Sequence, residues 1–171
     1  MRALQRRERV LLVAAAVVVV LAGVGSFAAP GRLVLYNRTP SVPVGWYYRL
    51  FQTPERGDYV ALPLPAAAWD YARARGETPS RVRFMKVIAA MAGDSVCASQ
   101  DRLTVNGQDL GEIRTADAEG RLLPRWSQCR ALGRGEVFLV SAVPESFDSR
   151  YFGPVPLSDL EGVYAPWTWS P

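Results

Sequence analysis

The chain is 171 residues long, which is enough for one domain of ordinary size together with a terminal segment. Its formal net charge is +4, and its basic residues form no stripe interleaved with aromatic side chains, which argues against nucleic-acid binding. The sequence has no histidine and only two cysteines, which excludes histidine-dependent catalysis and a zinc site made of cysteine and histidine. We therefore expect no metal and no cofactor, and an enzyme built on this chain has to use Ser, Lys, Asp, Glu, Tyr or Arg.

The N-terminal part combines positive charge with a long apolar run. Residues 1–9 contain four arginines, and residues 10–29 contain no charged side chain. A helix over such a run spans about 30 Å, the thickness of a bilayer core. Because arginines favour the cytoplasmic side, we predict a cytoplasmic basic tail at 1–9, one transmembrane anchor at 10–29 and an exported domain at 30–171. A cleaved signal peptide is the alternative, since residues 26–28 (Ser-Phe-Ala) resemble a cleavage site.

Short apolar and aromatic runs, separated by Gly and Pro, make up the rest of the chain. Such runs predict strands, here at 33–36, 46–51, 57–62, 83–90, 95–98, 102–108, 136–140 and 161–167. Residues 66–75 predict one helix, which begins after Pro65 and ends near Gly76. Residues 109–131 are polar, and no element is predicted there. Many short strands with one helix indicate a mainly β, barrel-like domain.

A stiff turn presents Ser41. Pro40 and Pro43 bracket this serine, and each proline holds the residue before it in an extended conformation. A nucleophile benefits from such a fixed placement, although prolines and serines also occur in ordinary surface turns. The backbone N–H of Ser41 and the hydroxyl of Thr39 are candidate donors to an oxyanion, and a local turn hydrogen bond is the alternative for Thr39.

Lys86 is the one lysine among the 20 Lys and Arg of the chain. A lysine can act as a neutral amine where an arginine cannot, because arginine keeps its proton in proteins. In the predicted strand, Phe84 and Ile88 share a face with Lys86. Together with Met85 and Val87 they can exclude water, which lowers the pKa of the amine toward about 7–8. A serine needs a base, and Lys86 is the available nitrogen base, so we predict a Ser41/Lys86 dyad. A lysine that extends into solvent is the alternative.

The two cysteines of the chain are Cys97 and Cys129. Two cysteines in an exported domain usually form a disulfide, because the compartment is oxidising. We therefore predict a Cys97–Cys129 bridge that ties the polar segment 109–131 to the strands, with two free thiols as the alternative.

The chain contains TPSVPVG at 39–45, RFMKVI at 83–88 and SFDSRYFGPV at 146–155. These three segments resemble the bacterial type I signal peptidase (S26) family. Residues 39–45 (TPSVPVG) are similar to its nucleophile box, and residues 83–88 (RFMKVI), followed by Gly93 and Asp94, are similar to its general-base box. Residues 146–155 (SFDSRYFGPV) match its third box. The short chain and the first box look most like the conjugative-transfer branch, the TraF-type pilin-maturation peptidases. One departure is residues 141–145 (SAVPE), which stand where the family commonly has Gly-Asp-Asn.

The resemblance implies a membrane-anchored, mainly β serine endopeptidase with a signal-peptidase-like β-barrel domain. It also implies roles for six residues of the motifs. Ser41 is the nucleophile, Lys86 the general base and Thr39 an oxyanion donor. Ser146 holds the amine of Lys86, and Asp148 with Arg150 forms a supporting ion pair. The implied location is the bacterial inner membrane with the catalytic domain in the periplasm.

The resemblance also implies partners. The substrate is expected to be an exported, pilin-like precursor, and the other partners are membrane lipid and proteins of the transfer apparatus. Water can resolve the acyl-enzyme, which gives a linear product, or the amino terminus of the substrate can resolve it, which gives a cyclic pilin. A general leader peptidase is one alternative function, and a catalytically silent, membrane-tethered assembly module of a secretion system is another.

Overall fold

The computed structural model describes Glu8, residues 10–18 and residues 32–167. The chain divides into two compact units, Met1–Leu33 and Val34–Pro171. In the first unit, the described residues 10–18 are helical and exposed. No helix in the described ranges is long and apolar enough to cross a membrane, so the predicted transmembrane helix at 10–29 is not supported. Residues 19–29 of that predicted span lie outside the described residues.

The second unit contains short strands, two short α-helices and three single turns of 3-10 helix. The strands are β1 (Val34–Asn37), β2 (Gly45–Leu50), β3 (Tyr59–Pro63), β4 (Arg83–Met91), β5 (Ser95–Ser99), β6 (Arg102–Val105), β7 (Gln108–Glu112), β8 (Cys129–Ala131), β9 (Glu136–Val140), β10 (Val155–Pro156) and β11 (Gly162–Pro166). The α-helices are α1 (Trp69–Ala74) and α2 (Ser149–Phe152), and the 3-10 turns are Ala66–Ala68, Pro79–Arg81 and Leu157–Asp159. The predicted mainly β fold is confirmed.

The strands form two antiparallel sheets. The larger sheet has seven strands in the order β1-β2-β11-β3-β4-β9-β10, and the smaller has four in the order β7-β6-β5-β8. Strand β4 lies inside the larger sheet, where Lys86 is opposite Val60 of β3, and Val87 is opposite Val140 of β9. Because it pairs on both sides, β4 holds the lysine at a fixed place in the sheet.

The core brings the Ser41 turn to strand β4. Val42, directly after the serine, and Met85, directly before the lysine, are both buried in one cluster with Tyr47. The opposite face of β4 contributes Ile88 to a larger cluster, as the alternation of a strand requires. The cluster therefore brings the Ser41 turn next to β4, and Lys86 lies on the face of β4 opposite to Met85.

Segments for which the sequence predicted no helix or strand contain short secondary-structure elements. Residues 109–131 include most of β7 and all of β8, and the region after Ser146 includes α2 and β10. These elements have two to five residues each, so their own sequences carry little periodic pattern. Pairing with neighbouring strands stabilises the three strands among them. The predicted helix at 66–75 is a 3-10 turn followed by α1.

A disulfide joins β5 to β8, as predicted. Cys97 and Cys129 are opposite each other in the antiparallel pairing of these strands, and the bridge between them is formed. It connects a strand of the smaller sheet to the end of the polar segment 109–131.

Replacement of both cysteines by alanine is expected to destabilise the protein. The bridge joins residues separated by 32 positions, and loss of such a cross-link raises the entropy of the unfolded chain, which costs about 3–4 kcal/mol in the chain-entropy model. Urea denaturation of the oxidised protein and of the Cys97→Ala/Cys129→Ala variant measures the difference. As a control, a reductant should lower the midpoint of the wild type and leave that of the variant unchanged. Equal midpoints without reductant would contradict the prediction.

Candidate active site

Asn37, the last residue of β1, organises the turn that carries Ser41. Its side chain is buried, and its amide nitrogen donates hydrogen bonds to the backbone oxygens of Thr39 at 2.7 Å, Val42 at 3.0 Å and Pro43 at 3.1 Å. The turn therefore folds around one side chain, in addition to its prolines. No sequence pattern assigned this role to Asn37, although asparagine before a turn often bonds to the backbone that follows it.

The hydroxyls of Thr39 and Ser41 are in contact, with 2.9 Å between Oγ1 and Oγ. Thr39 also donates through its backbone N–H and its hydroxyl to the side-chain oxygen of Asn37, at 3.3 and 3.2 Å. The local turn hydrogen bond of Thr39 is thus present, and the same residue lies next to the serine hydroxyl. A chain of hydrogen bonds from Asn37 through Thr39 to Ser41 fixes the position of both hydroxyls.

Lys86 is buried, with 3% of its surface exposed. Its Nζ donates a hydrogen bond of 2.6 Å to Oγ of Ser146 and lies 5.2 Å from the centre of the Phe84 ring. Burial lowers the pKa of the amine to about 8; the charge of Asp148 acts in the opposite direction, and the charge of Arg150 lowers the pKa further. A lysine with this pKa is partly neutral near pH 8 and can accept a proton there.

Asp148 and Arg150 form a buried ion pair, with side chains 0% and 1% exposed. The guanidinium binds the carboxylate through Nη2 at 2.7 Å and through Nε at 2.9 Å. The same Nη2 donates to the backbone oxygens of Ser141 at 3.4 Å, Val143 at 3.1 Å and Ser146 at 3.5 Å. The ion pair therefore determines the conformation of residues 141–146, the segment that includes the departure from the family pattern.

One cleft of about 260 Å³ is lined by Ser41, Thr39, Lys86 and Ser146. Apolar side chains, including Phe84 and Phe147, form part of its wall. The structure thus brings four of the predicted site residues together, while Asp148 and Arg150 are buried and absent from the lining. An alcohol, a buried amine and two further hydroxyls in one cleft suit acyl transfer. Within the described ranges, no group of three or more His, Cys, Asp or Glu side chains is placed to hold a metal.

Comparison with known proteins extends these observations. The family "Signal peptidase, peptidase S26" matches residues 6–169. A plasmid transfer protein TraF of Escherichia coli is 36% identical, over 91% of this chain and 92% of the relative. A conjugal transfer protein TraF of Agrobacterium fabrum (strain C58) is 32% identical, over 76% of this chain and 79% of the relative. Among solved structures, a signal peptidase I of Enterococcus faecalis V583 has a TM-score of 0.39 and 26% identity, over 67% of this chain and 98% of that chain.

Proposed function

Because this chain belongs to the S26 signal peptidase family, whose peptidases act on precursor proteins, we propose that it is a serine endopeptidase with a Ser41/Lys86 dyad. The observation that carries the proposal is the buried Lys86 amine, whose pKa is lowered to about 8 and which lines the same cleft as the hydroxyl of Ser41. Burying an ionisable amine costs free energy, and groups with such shifted pKa values are concentrated at functional sites. Proton transfer during catalysis is the function that we assign to this amine.

In the proposed acylation, neutral Lys86 accepts the proton of Ser41 Oγ as this oxygen attacks the carbonyl carbon of the substrate. The tetrahedral intermediate carries a negative charge on the former carbonyl oxygen. The Ser41 N–H stabilises this charge together with the Thr39 hydroxyl, which turns away from its hydrogen bond to Asn37 to donate to the oxyanion. The C–N bond then breaks, and the ammonium of Lys86 returns its proton to the departing amine. The peptide is left as an ester on Ser41, and the lysine is neutral again.

Ser146 holds the base during this cycle. Its hydroxyl oxygen accepts a hydrogen bond from the amine at 2.6 Å, so the lysine side chain has one orientation before substrate binds. Such positioning matters because an error of about 1 Å in a reacting group can cost about 100-fold in rate.

The relatives named as plasmid transfer and conjugal transfer proteins support a role in conjugation, and we propose an exported, pilin-like precursor as the substrate. We propose that the enzyme acts in the inner membrane with its catalytic domain in the periplasm, near other proteins of the transfer apparatus and membrane lipid. The Cys97–Cys129 bridge supports an exported domain, because disulfides persist in oxidising compartments. Water or the amino terminus of the substrate then resolves the ester.

The test is Ser41→Ala in cells that express the precursor. We expect a loss of processing of at least about 10⁴-fold, as is typical when a serine nucleophile is removed. Ser99→Ala, an exposed serine on β5, is the matched control and should process normally. Mass spectrometry distinguishes a linear product from a cyclic one, which is lighter by one water. Normal processing by Ser41→Ala would overturn the proposed dyad and favour the silent assembly module.

A further inference from the structure

Ser141 is a buried serine outside the predicted site. With 3% of its surface exposed, it donates a hydrogen bond of 2.7 Å from its hydroxyl to the backbone oxygen of Ser41, which is 100 residues earlier in the chain. The hydroxyl oxygen of Ser141 also accepts a hydrogen bond from the backbone N–H of Val143 at 3.1 Å. The hydroxyl proton of Ser141 is therefore committed to the candidate nucleophile.

The buried ion pair holds Ser141 in place. The backbone N–H of Ser141 donates to Oδ2 of Asp148 at 3.0 Å, and its carbonyl oxygen accepts from Nη2 of Arg150 at 3.4 Å. Both backbone groups of Ser141 are thus bound to one rigid pair, which leaves the side chain with a defined direction toward Ser41.

The other end of the same segment reaches the candidate base. Ser146 accepts the hydrogen bond of Lys86 at 2.6 Å, and its carbonyl oxygen lies 3.5 Å from Nη2 of Arg150. Residues 141–146, which we call the bridging loop, therefore contact the backbone of Ser41 at one end and the amine of Lys86 at the other.

We propose that the bridging loop sets the separation of nucleophile and base, and that Ser141 is the positioning residue on the nucleophile side; this inference rests on the proposed Ser41/Lys86 function. Three side chains bind the backbone of the Ser41 turn. Asn37 binds it from within, Tyr47 donates its hydroxyl to the carbonyl oxygen of Pro43 at 2.8 Å, and Ser141 binds the carbonyl of Ser41 from the facing loop. Without the hydroxyl of Ser141 the turn keeps its internal fold, but the carbonyl of Ser41 loses this donor. The serine then samples orientations in which Oγ is poorly placed for attack.

The expected effect of Ser141→Ala is a loss in kcat of about 10- to 100-fold with KM changed less than about twofold, because positioning of a reacting group affects the chemical step more than binding. The matched control is Ser149→Ala. Ser149 is equally buried, and its hydroxyl accepts the backbone N–H of Leu139 at 3.0 Å. Both variants remove one buried hydroxyl that bonds to the backbone, but only Ser141 bonds to Ser41.

The experiment uses the full chain and a synthetic peptide that spans the cleavage site mapped by mass spectrometry. Rates are divided by the folded fraction from circular dichroism, so that loss of folded protein is not counted as loss of chemistry. The pH dependence of kcat gives a second readout. In Ser141→Ala its inflection should stay where it is in the wild type, because the surroundings of Lys86 are intact, whereas Ser146→Ala should shift it.

The inference is supported if Ser141→Ala loses at least tenfold more in kcat than Ser149→Ala, with KM and the pH inflection unchanged. It is overturned if the two variants agree within about threefold while Ser41→Ala is inactive, if the loss lies in KM, or if the inflection moves. Failure of the proposed function looks different, since Ser41→Ala would then cleave the peptide as the wild type does.

Discussion

Lys86→Met is expected to abolish cleavage and at the same time to stabilise the protein near neutral pH. The pKa of the amine falls from 10.5 to about 8 on folding. At about 1.4 kcal/mol for each pKa unit, burial of the protonated amine costs about 3 kcal/mol. Methionine has a similar length and no charge, so this cost disappears, while the loss of one hydrogen bond to Ser146 offsets about 1 kcal/mol. A net gain of about 2 kcal/mol in the free energy of unfolding results.

The sign of the pH dependence follows from proton binding. Between pH 8 and 10.5 the unfolded wild type binds a proton that the folded protein lacks, so the stability of the wild type rises with pH across this window. The advantage of Lys86→Met is therefore complete below pH 8 and lost above pH 10.5. Urea denaturation of both proteins at neutral and at alkaline pH measures this. The control is Lys86→Arg, which keeps a permanent charge and should be both inactive and less stable; an equal stability of wild type and Lys86→Met at neutral pH would contradict the argument.

Arg150→Met is expected to destabilise the domain strongly. It leaves the carboxylate of Asp148 buried without its counter-charge and removes the donor that binds three backbone oxygens of the bridging loop. Breaking one side of a buried pair typically costs about 3–5 kcal/mol, which is a large part of the total stability of a domain. Chemical denaturation measures the loss.

Two further variants make this test specific. Arg150→Lys keeps the charge but not the forked geometry, so its stability should lie between those of the wild type and Arg150→Met. Arg73→Met removes an arginine of an exposed pair with Asp70 and should change the stability little, as is usual for surface ion pairs. If Arg73→Met and Arg150→Met lowered the free energy of unfolding equally, the prediction that the buried Asp148–Arg150 pair stabilises the domain more than an exposed pair would be wrong.

Local patterns predicted the surroundings of Lys86. The alternation of residues 83–90 indicated which neighbours surround Lys86, and in the structure the lysine is buried and its pKa lowered. The disulfide was predictable from the count of cysteines and the expected compartment. Both predictions depend on properties that a few adjacent residues, or composition alone, can carry.

Contacts between distant segments were not predictable in the same way. The bond from Ser141 to Ser41 joins residues 100 positions apart, and no periodicity of either segment indicates it. The role of Asn37 was not predicted, because it depends on how the turn folds back over the asparagine side chain and not on the residues next to Asn37 in the sequence. Strand β8 has three residues and depends on β5 and the disulfide, so its sequence by itself shows no strand pattern.

The position of β4 has a consequence for how activity is lost. This strand is paired on both sides within the seven-stranded sheet, so its amide protons should exchange with solvent only when the whole domain unfolds. The Ser41 turn follows the edge strand β1 and can fray in a smaller opening that leaves the sheet intact. Mild denaturation should therefore first produce a population in which Lys86 keeps its place in the sheet while Ser41 has moved away from it. This population can recover its activity without refolding the sheet.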